Sequence, residues 1–138
     1  MAVMRRESGF QDDAKPARRW LLGFIPMGRP SSAYGYAQAL DGTWEMYKKA
    51  TDNGWADRDD FADAVDFIGW YMSISKRKLK FADTDAYRHA LAYHEGWTGY
   101  ANDSYKAKSG VLAYAQNVQT TAARYTRQLN GCRAQLES

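Results

Sequence analysis

The sequence predicts a compact all-α domain over residues 1–138. Apolar residues recur at intervals of three and four over long stretches, which is the spacing of a buried helix face. No alternation of apolar and polar residues lasts long enough to indicate a strand. The chain has 138 residues, of which 45% are hydrophobic and 25% charged. This size and composition are typical of a single folded domain with its own core.

The elements of the first half are predicted from their ends. Residues 2–8 read as the last turns of a helix that Gly9 stops, and we expect the chain to lack the upstream part of this helix. Residues 11–33 contain all three prolines and are predicted to form a long ordered loop. Asp41 is the expected N-cap of the next helix, which Asp52 and the two residues after it interrupt.

The second half is predicted to hold three further helices. The first is capped by Asp57 and buries a stripe of four residues: Phe61, Val65, Ile68 and Met72. Another begins at Thr84 or Asp85 and runs into Tyr93. The last covers residues 109–129, where apolar side chains follow helical spacing, and Gly131 closes it.

Charge and composition restrict the partners and the compartment. The net charge is +3 and the pI is near 9.0, which suits a nucleic acid, an acidic membrane surface or an acidic cell wall without choosing among them. Aromatic residues make up 14% of the chain, which favours a binding groove. The single cysteine, Cys132, excludes an internal disulfide. No apolar run reaches transmembrane length, and Met1–Arg6 is not a signal peptide, so any targeting segment is expected outside this chain.

Three short segments combine polar or ionisable side chains with glycine. The first is Glu-Ser-Gly-Phe, which begins at Glu7. The second runs from Ala33 to Thr43 and contains Gly35 and Gln38. The third is Ala-Tyr-His-Glu-Gly, which ends at Gly96. In this order they resemble the soluble-lytic-transglycosylase (SLT) domain family, which shares its fold with goose-type lysozyme. The family pattern is Glu-Ser-x-Phe, then Gly-x-x-Gln-x-x-x-x-Thr, then Ala-Tyr-Asn-x-Gly.

The resemblance extends from Val3 to about Leu129, with four departures from the family pattern. The link from Phe10 to Gly35 is longer than usual, and the first helix is shorter. Asp41 stands where the family commonly has proline. His94 replaces the usual asparagine. The longer link suggests a subfamily whose groove has its own rim.

The resemblance implies that Glu7 is the single general acid/base. Breaking a glycosidic bond requires a proton on the leaving oxygen, and a carboxylic acid can supply it near neutral pH when burial raises its pKa. The negative end of the helix also favours the protonated acid. In the family the same glutamate then deprotonates the 6-hydroxyl of N-acetylmuramic acid. That hydroxyl attacks its own anomeric carbon and leaves a 1,6-anhydro end.

The remaining site residues are implied to bind the glycan. They are Ser8, Gly35, Gln38, Tyr93, His94 and Gly96. The resemblance predicts that Gln38 and Tyr93 lie near Glu7, with the tyrosine hydroxyl orienting its carboxyl group. A turn from Trp97 to Tyr100 is expected to stack on a sugar. No cofactor and no metal are expected, because adjacent residues such as His94 and Glu95 diverge on a helix and the chain has only two histidines.

The resemblance implies an enzyme of the bacterial cell envelope, periplasmic or associated with the outer membrane, that acts as a monomer on peptidoglycan strands. Membrane association through a missing N-terminal segment is compatible with it. One alternative is a non-catalytic peptidoglycan-binding or scaffolding module, and another is a hydrolytic muramidase. A basic helical nucleic-acid-binding domain is the third alternative. It is disfavoured because 16 acidic residues offset the 19 basic ones and no helix has a basic recognition face.

Overall fold

The computed structural model describes residues 1–13 and 32–136. Within these residues the regular elements are five α-helices and one short 3-10 helix, Ser104–Ala107. The α-helices are α1 (Ala2–Ser8), α2 (Asp41–Thr51), α3 (Phe61–Leu79), α4 (Ala86–Ala101) and α5 (Ser109–Leu136). The predicted all-α class is confirmed. Most of the predicted loop over residues 11–33 lies outside the described residues.

The chain divides into two compact units. Unit 1 comprises Met1–Arg6 and Tyr71–Ser138, and unit 2 comprises Glu7–Trp70. The boundaries between the units fall within α1, after Arg6, and within α3, after Trp70, so each of these helices contributes residues to both units.

The core of unit 1 lies along α4 and α5, which pack against each other. Ala90, Leu91 and Ala92 of α4 are buried, and so are three α5 residues at helical spacing: Val111, Ala115 and Val118. The Tyr71 hydroxyl crosses this core and donates a hydrogen bond to the carbonyl oxygen of Ala92 at 3.1 Å. The spacing predicted for the last helix therefore marks its buried face.

Unit 2 is organised around an aromatic cluster formed by α2 and α3. Tyr47 contacts the rings of Trp44, Phe67 and Trp70 at centroid distances of 5.0, 5.5 and 5.6 Å. Its hydroxyl donates to Asp66 Oδ2 at 2.6 Å. Burial and this hydrogen bond raise the pKa of Tyr47 to about 12. Tyr47 thus joins the two helices through both its ring and its hydroxyl.

Several predicted helix boundaries are wrong in position. Asp41 was predicted to be the N-cap of α2, but it is the first residue of that helix, and the N-cap is Leu40. The Asp41 carboxylate pairs with Arg58. The cap of α3 is Asp60, whose Oδ1 accepts from the Asp63 N–H at 2.9 Å, so the predicted cap at Asp57 lies three residues too early. Gly131 does not end α5, which continues to Leu136.

The predicted apolar stripe of α3 is only half correct. Phe61 and Val65 are 44% and 41% exposed, whereas Ala64, Phe67 and Tyr71 are buried. The buried face is rotated by one position because Phe67 enters the aromatic cluster of unit 2. Ile68 is buried as predicted, and Met72 is half-buried.

Candidate functional site

The proposed acid lies at the end of a short helix. Glu7 is the penultimate residue of α1 and is half-buried. Gly9, with φ of 60°, ends the helix as predicted. The chain then turns tightly, because the Phe10 N–H donates to Ser8 Oγ at 3.2 Å and the Gln11 N–H donates to the Ser8 carbonyl oxygen at 3.1 Å.

Ser8 connects the first motif to the second. Its side chain is buried, and Oγ donates a hydrogen bond to the carbonyl oxygen of Tyr36 at 2.7 Å. The two residues are 28 positions apart. A serine at this position therefore fixes the glutamate-bearing end of α1 against the segment that contains Gly35 and Gln38.

The second motif forms a closed turn. Tyr34 and Ala39 form an isolated bridge, with the Tyr34 N–H donating to the Ala39 carbonyl oxygen at 3.2 Å. Between them the Gly35 carbonyl oxygen accepts two hydrogen bonds from Gln38, one from its backbone N–H at 3.2 Å and one from Nε2 at 2.9 Å. Gln38 has a positive φ of 51°. Its amide therefore holds the turn in a conformation that glutamine rarely adopts.

Arg58 holds this turn from the segment between α2 and α3. Its Nη1 donates to the carbonyl oxygens of Ser32 and Ala39, each at 3.0 Å, and pairs with Asp41 Oδ1 at 2.8 Å. The guanidinium carbon lies 5.2 Å from the centroid of the Tyr34 ring. One arginine thus binds the chain just before the turn and at the residue that closes it.

The backbone of Arg58 also contacts the turn and explains the requirement for glycine. The Arg58 carbonyl oxygen accepts from the Tyr36 N–H at 3.3 Å. Gly35 has φ of 82°, and a Cβ atom there would overlap that carbonyl oxygen and lie 2.7 Å from the carbonyl carbon. Sequence analysis did not identify Arg58, because it is 23 residues beyond Gly35 and no local pattern links the two.

The third motif lies on α4 in unit 1. Tyr93 packs edge-on against Tyr71 at a centroid distance of 5.0 Å, and Gly96 has φ of 78° and ψ of 166°, which kinks the helix. The predicted turn from Trp97 to Tyr100 is wrong, because these residues continue α4. Trp97 stacks on Tyr71 at 4.5 Å and its Nε1 donates to Ser75 Oγ at 2.9 Å.

Glu95 is the centre of a buried polar cluster. Its side chain is 3% exposed. Oε1 accepts from Ser104 Oγ at 2.7 Å and pairs with Lys108 Nζ at 2.9 Å, while Oε2 lies 3.0 Å from His94 Nδ1. Burial alone would raise the pKa of Glu95, but the hydrogen bonds from Ser104, Lys108 and His94 outweigh it and lower the pKa. An ionised Glu95 therefore selects the His94 form with a proton on Nδ1.

The six predicted binding residues are distributed over both units. In unit 2, Ser8, which follows Glu7, donates a hydrogen bond to Tyr36, and Tyr36 lies in the turn that Gln38 closes onto Gly35. Tyr93, His94 and Gly96 lie on α4. The expectation that Gln38 and Tyr93 lie near Glu7 involves both units and stays a prediction.

Two features are absent from the part of the chain that comprises residues 1–13 and 32–136. It contains no group of three or more His, Cys, Asp or Glu residues placed to hold a metal ion. Its helices include none that is both long and apolar enough to cross a bilayer.

Comparison with known proteins gives one match. The sequence model of a family described as "Transglycosylase SLT domain" matches residues 1–132. No curated protein and no solved structure matches the chain significantly. The matched range includes all three motifs, and it agrees with the resemblance drawn from those motifs.

Proposed function

The chain belongs to the transglycosylase SLT domain family, and we propose that it breaks the β-1,4 bond between N-acetylmuramic acid and N-acetylglucosamine without consuming water. The family acts on the glycan strands of peptidoglycan, in the cell envelope. In our proposal Glu7 is the single general acid/base and the products end in 1,6-anhydromuramic acid. We propose a monomer that works in the periplasm or at the outer membrane.

The hydrogen bond from Ser8 to Tyr36 is the observation that carries this proposal. It joins the segment Glu-Ser-Gly-Phe to the glycine–glutamine turn, 28 residues away. A general acid must be held in a fixed position relative to the groups that bind its substrate. The bond supports such a role for Glu7, because the residue next to it is anchored to the predicted glycan-binding turn.

The reaction proceeds through two proton transfers at one carboxyl group. Protonated Glu7 gives its proton to the glycosidic oxygen as the bond to the anomeric carbon breaks and positive charge develops on the sugar. The resulting carboxylate takes the proton of the 6-hydroxyl, whose oxygen forms the new bond to the anomeric carbon. Glu7 ends protonated, ready for another cycle, and the atoms of water do not enter the product.

Our proposal assigns no second catalytic carboxylate, and this distinguishes the route from hydrolysis, because glycoside hydrolases commonly use one to activate water or to attack the sugar. Asp41, in the second motif, and Glu95, in the third, are two carboxylates to consider for that role. Asp41 pairs with Arg58 at 2.8 Å, and Glu95 is bound by Ser104 and Lys108. Both carboxylates are thus occupied by structural partners. A tethered hydroxyl has an effective concentration of about 10⁵ M or more when well oriented, so it outcompetes water.

The other residues serve binding in this proposal. Gly35 and Ser8 shape the turn and fix it to α1, and Gln38 offers the polar surface of that turn to the acetamido and hydroxyl groups of the sugar. On α4, Tyr93, His94 and Gly96 contact the glycan. In the neutral imidazole with its proton on Nδ1, Nε2 of His94 can accept from a sugar hydroxyl or an amide N–H.

The test is cleavage of purified sacculi by a Glu7→Gln variant, with released fragments identified by mass spectrometry. We expect the rate to fall about 10²- to 10⁴-fold, because the amide has nearly the same shape but cannot transfer a proton in this way. Glu45→Gln is the matched control, since Glu45 is an exposed residue paired with Lys48 on α2, and it should keep the wild-type rate.

The masses of the released fragments provide a second, independent test, because they distinguish the lyase from a hydrolase. An anhydro end is lighter than a reducing end by the mass of one water. Wild-type protein should release anhydro fragments only. Reducing ends would assign the chain to hydrolytic muramidases with Glu7 retained as acid, and undiminished cleavage by Glu7→Gln would refute the assignment of the acid.

A further inference from the structure

A polar pocket lies between α1 and α5 within unit 1. Its volume is about 240 Å³. Every residue that lines it is polar, and three are arginines: Arg5, Arg6, Asn117, Thr120, Thr121 and Arg124. None of these residues belongs to the three motifs. The pocket is therefore separate from the groups assigned to bond cleavage.

The pocket follows from the register of α5. Its four α5 residues are spaced by three, one and three positions, so that they share one face of the helix. Thr121 is 5% exposed and is one of the residues that line the pocket. Arg5 and Arg6 are exposed and come from the last turn of α1. Hydroxyl, amide and guanidinium groups thus meet at one opening.

The three arginines have no acidic partner among the described residues. Six basic side chains elsewhere in the described residues do have an acidic partner: Lys48 with Glu45, Arg58 with Asp41, Lys76 with Asp83, Arg88 with Asp85, Lys106 with Asp103 and Lys108 with Glu95. The recorded contact of Arg124 is with the ring of Tyr125, 5.8 Å from its centroid. Guanidinium groups stay charged at all physiological pH values. Three of them around one pocket repel each other until an anion binds.

We propose that this pocket binds a carboxylate of the peptide stems that peptidoglycan carries on its muramic acid residues. The inference rests on the proposed function, because that function makes peptidoglycan the substrate. Arginine presents parallel N–H groups that match a carboxylate in two-point contact, and the threonine hydroxyls and Asn117 amide supply further donors. Arg6 directly precedes Glu7 in α1, and the stem is attached to the same sugar whose bond is broken.

A membrane surface fits the pocket less well. Surfaces that bind anionic lipids usually combine four to eight basic residues with apolar side chains that enter the bilayer. Here three arginines line a small pocket and none of its six residues is apolar. A compact anionic group therefore suits the site better than an extended layer of headgroups.

The test is binding of a free, fluorescently labelled stem peptide, obtained from sacculi with an amidase. Fluorescence anisotropy gives the Kd. Arg5→Gln and Arg124→Gln should each raise the Kd at least about tenfold, because each removes a charge-assisted hydrogen bond. Arg127→Gln is the matched control: Arg127 is an exposed α5 residue outside the pocket, so the Kd should not change. A peptide whose carboxylates are converted to carboxamides should bind no variant.

Three outcomes would overturn the inference. The first is a wild-type protein that does not bind the stem peptide. The second is an equal loss of affinity in Arg127→Gln, which would indicate attraction by overall charge. The third is binding of inorganic phosphate or of phosphatidylglycerol vesicles, but not the peptide, with dependence on Arg5 and Arg124.

Cleavage assays distinguish this inference from the proposed function. On peptide-bearing strands Arg5→Gln should raise KM and leave kcat unchanged, and on strands stripped of peptides it should match the wild type. A protein that binds the stem but cleaves no strand would contradict the proposed function alone. A protein that cleaves both kinds of strand with equal KM would contradict this inference alone.

Discussion

Gly35→Ala is expected to destabilise unit 2 by about 3–5 kcal/mol and to abolish cleavage. An alanine with positive φ costs about 1–2 kcal/mol. The new methyl group would overlap the Arg58 carbonyl oxygen, which is backbone and cannot rotate away. Separating the two segments would break the hydrogen bond from Tyr36 to Arg58, worth about 1 kcal/mol, and weaken those of the Arg58 guanidinium by about 1–2 kcal/mol.

Two other glycines provide matched controls for this change. Gly42 lies in the first turn of α2 with open space around it, so Gly42→Ala should stabilise by up to about 1 kcal/mol. Gly9 has φ of 60° and nothing within 4 Å of the added Cβ, so Gly9→Ala should show the conformational cost alone, about 1–2 kcal/mol. Urea unfolding followed by circular dichroism measures all three. A Gly35→Ala variant no less stable than Gly9→Ala would refute the role assigned to the Arg58 backbone.

Two further predictions concern acid stability. Burial lowers the pKa of His89 below its ordinary 6.5, and its Nδ1 is buried with no hydrogen-bond partner among the described residues. The unfolded chain therefore takes up the proton first, so the free energy of unfolding falls as the pH drops below about 6.5. His89→Gln should flatten this dependence in urea titrations at several pH values. Glu95→Gln should cost about 2 kcal/mol at neutral pH, since Lys108 loses its buried partner although solvent screens part of that loss. The pKa of Glu95 lies below 4.5, so this difference should persist above pH 4.5 and shrink as the wild-type carboxylate protonates in stronger acid. Asp83→Asn is the control, because it breaks an exposed pair with Lys76, and it should change the free energy of unfolding by less than about 1 kcal/mol at any of these pH values. If Asp83→Asn lowered the free energy of unfolding more than Glu95→Gln does, the argument from burial would be contradicted.

Helix ends and buried faces that depend on neighbouring residues were predicted correctly from the sequence in several places. Gly9 ends α1, and Asp85 caps α4 by accepting from the Arg88 N–H at 3.0 Å. The spacing along α5 identified its buried face. The end of α5 was missed because a glycine costs a helix only about 1 kcal/mol, which neighbouring turns can offset at Gly131.

Long-range contacts account for what sequence reasoning missed. Arg58 reads as one charged residue in an acidic turn, and only the folded chain brings it to Ser32 and Ala39. Glu95 similarly acquires its role from Lys108, which lies between the 3-10 helix and α5. The buried face of α3 depends on the partners of Phe67, which periodicity alone does not reveal. The family, in contrast, was recognisable from the three motifs and agrees with the match over residues 1–132.

The contacts of Arg58 also have a consequence for the order in which the chain folds during synthesis. The turn from Tyr34 to Ala39 leaves the ribosome before the residue that holds both of its ends, because Arg58 follows Ala39 by 19 positions. Its other anchor, Ser8, precedes Tyr36 by 28 positions and is therefore synthesised earlier. Closing such loops requires ordering the intervening chain. The turn therefore acquires its final shape only after the segment that precedes α3 has emerged, and a nascent chain that stops at α2 has the residues of the first two motifs without their geometry.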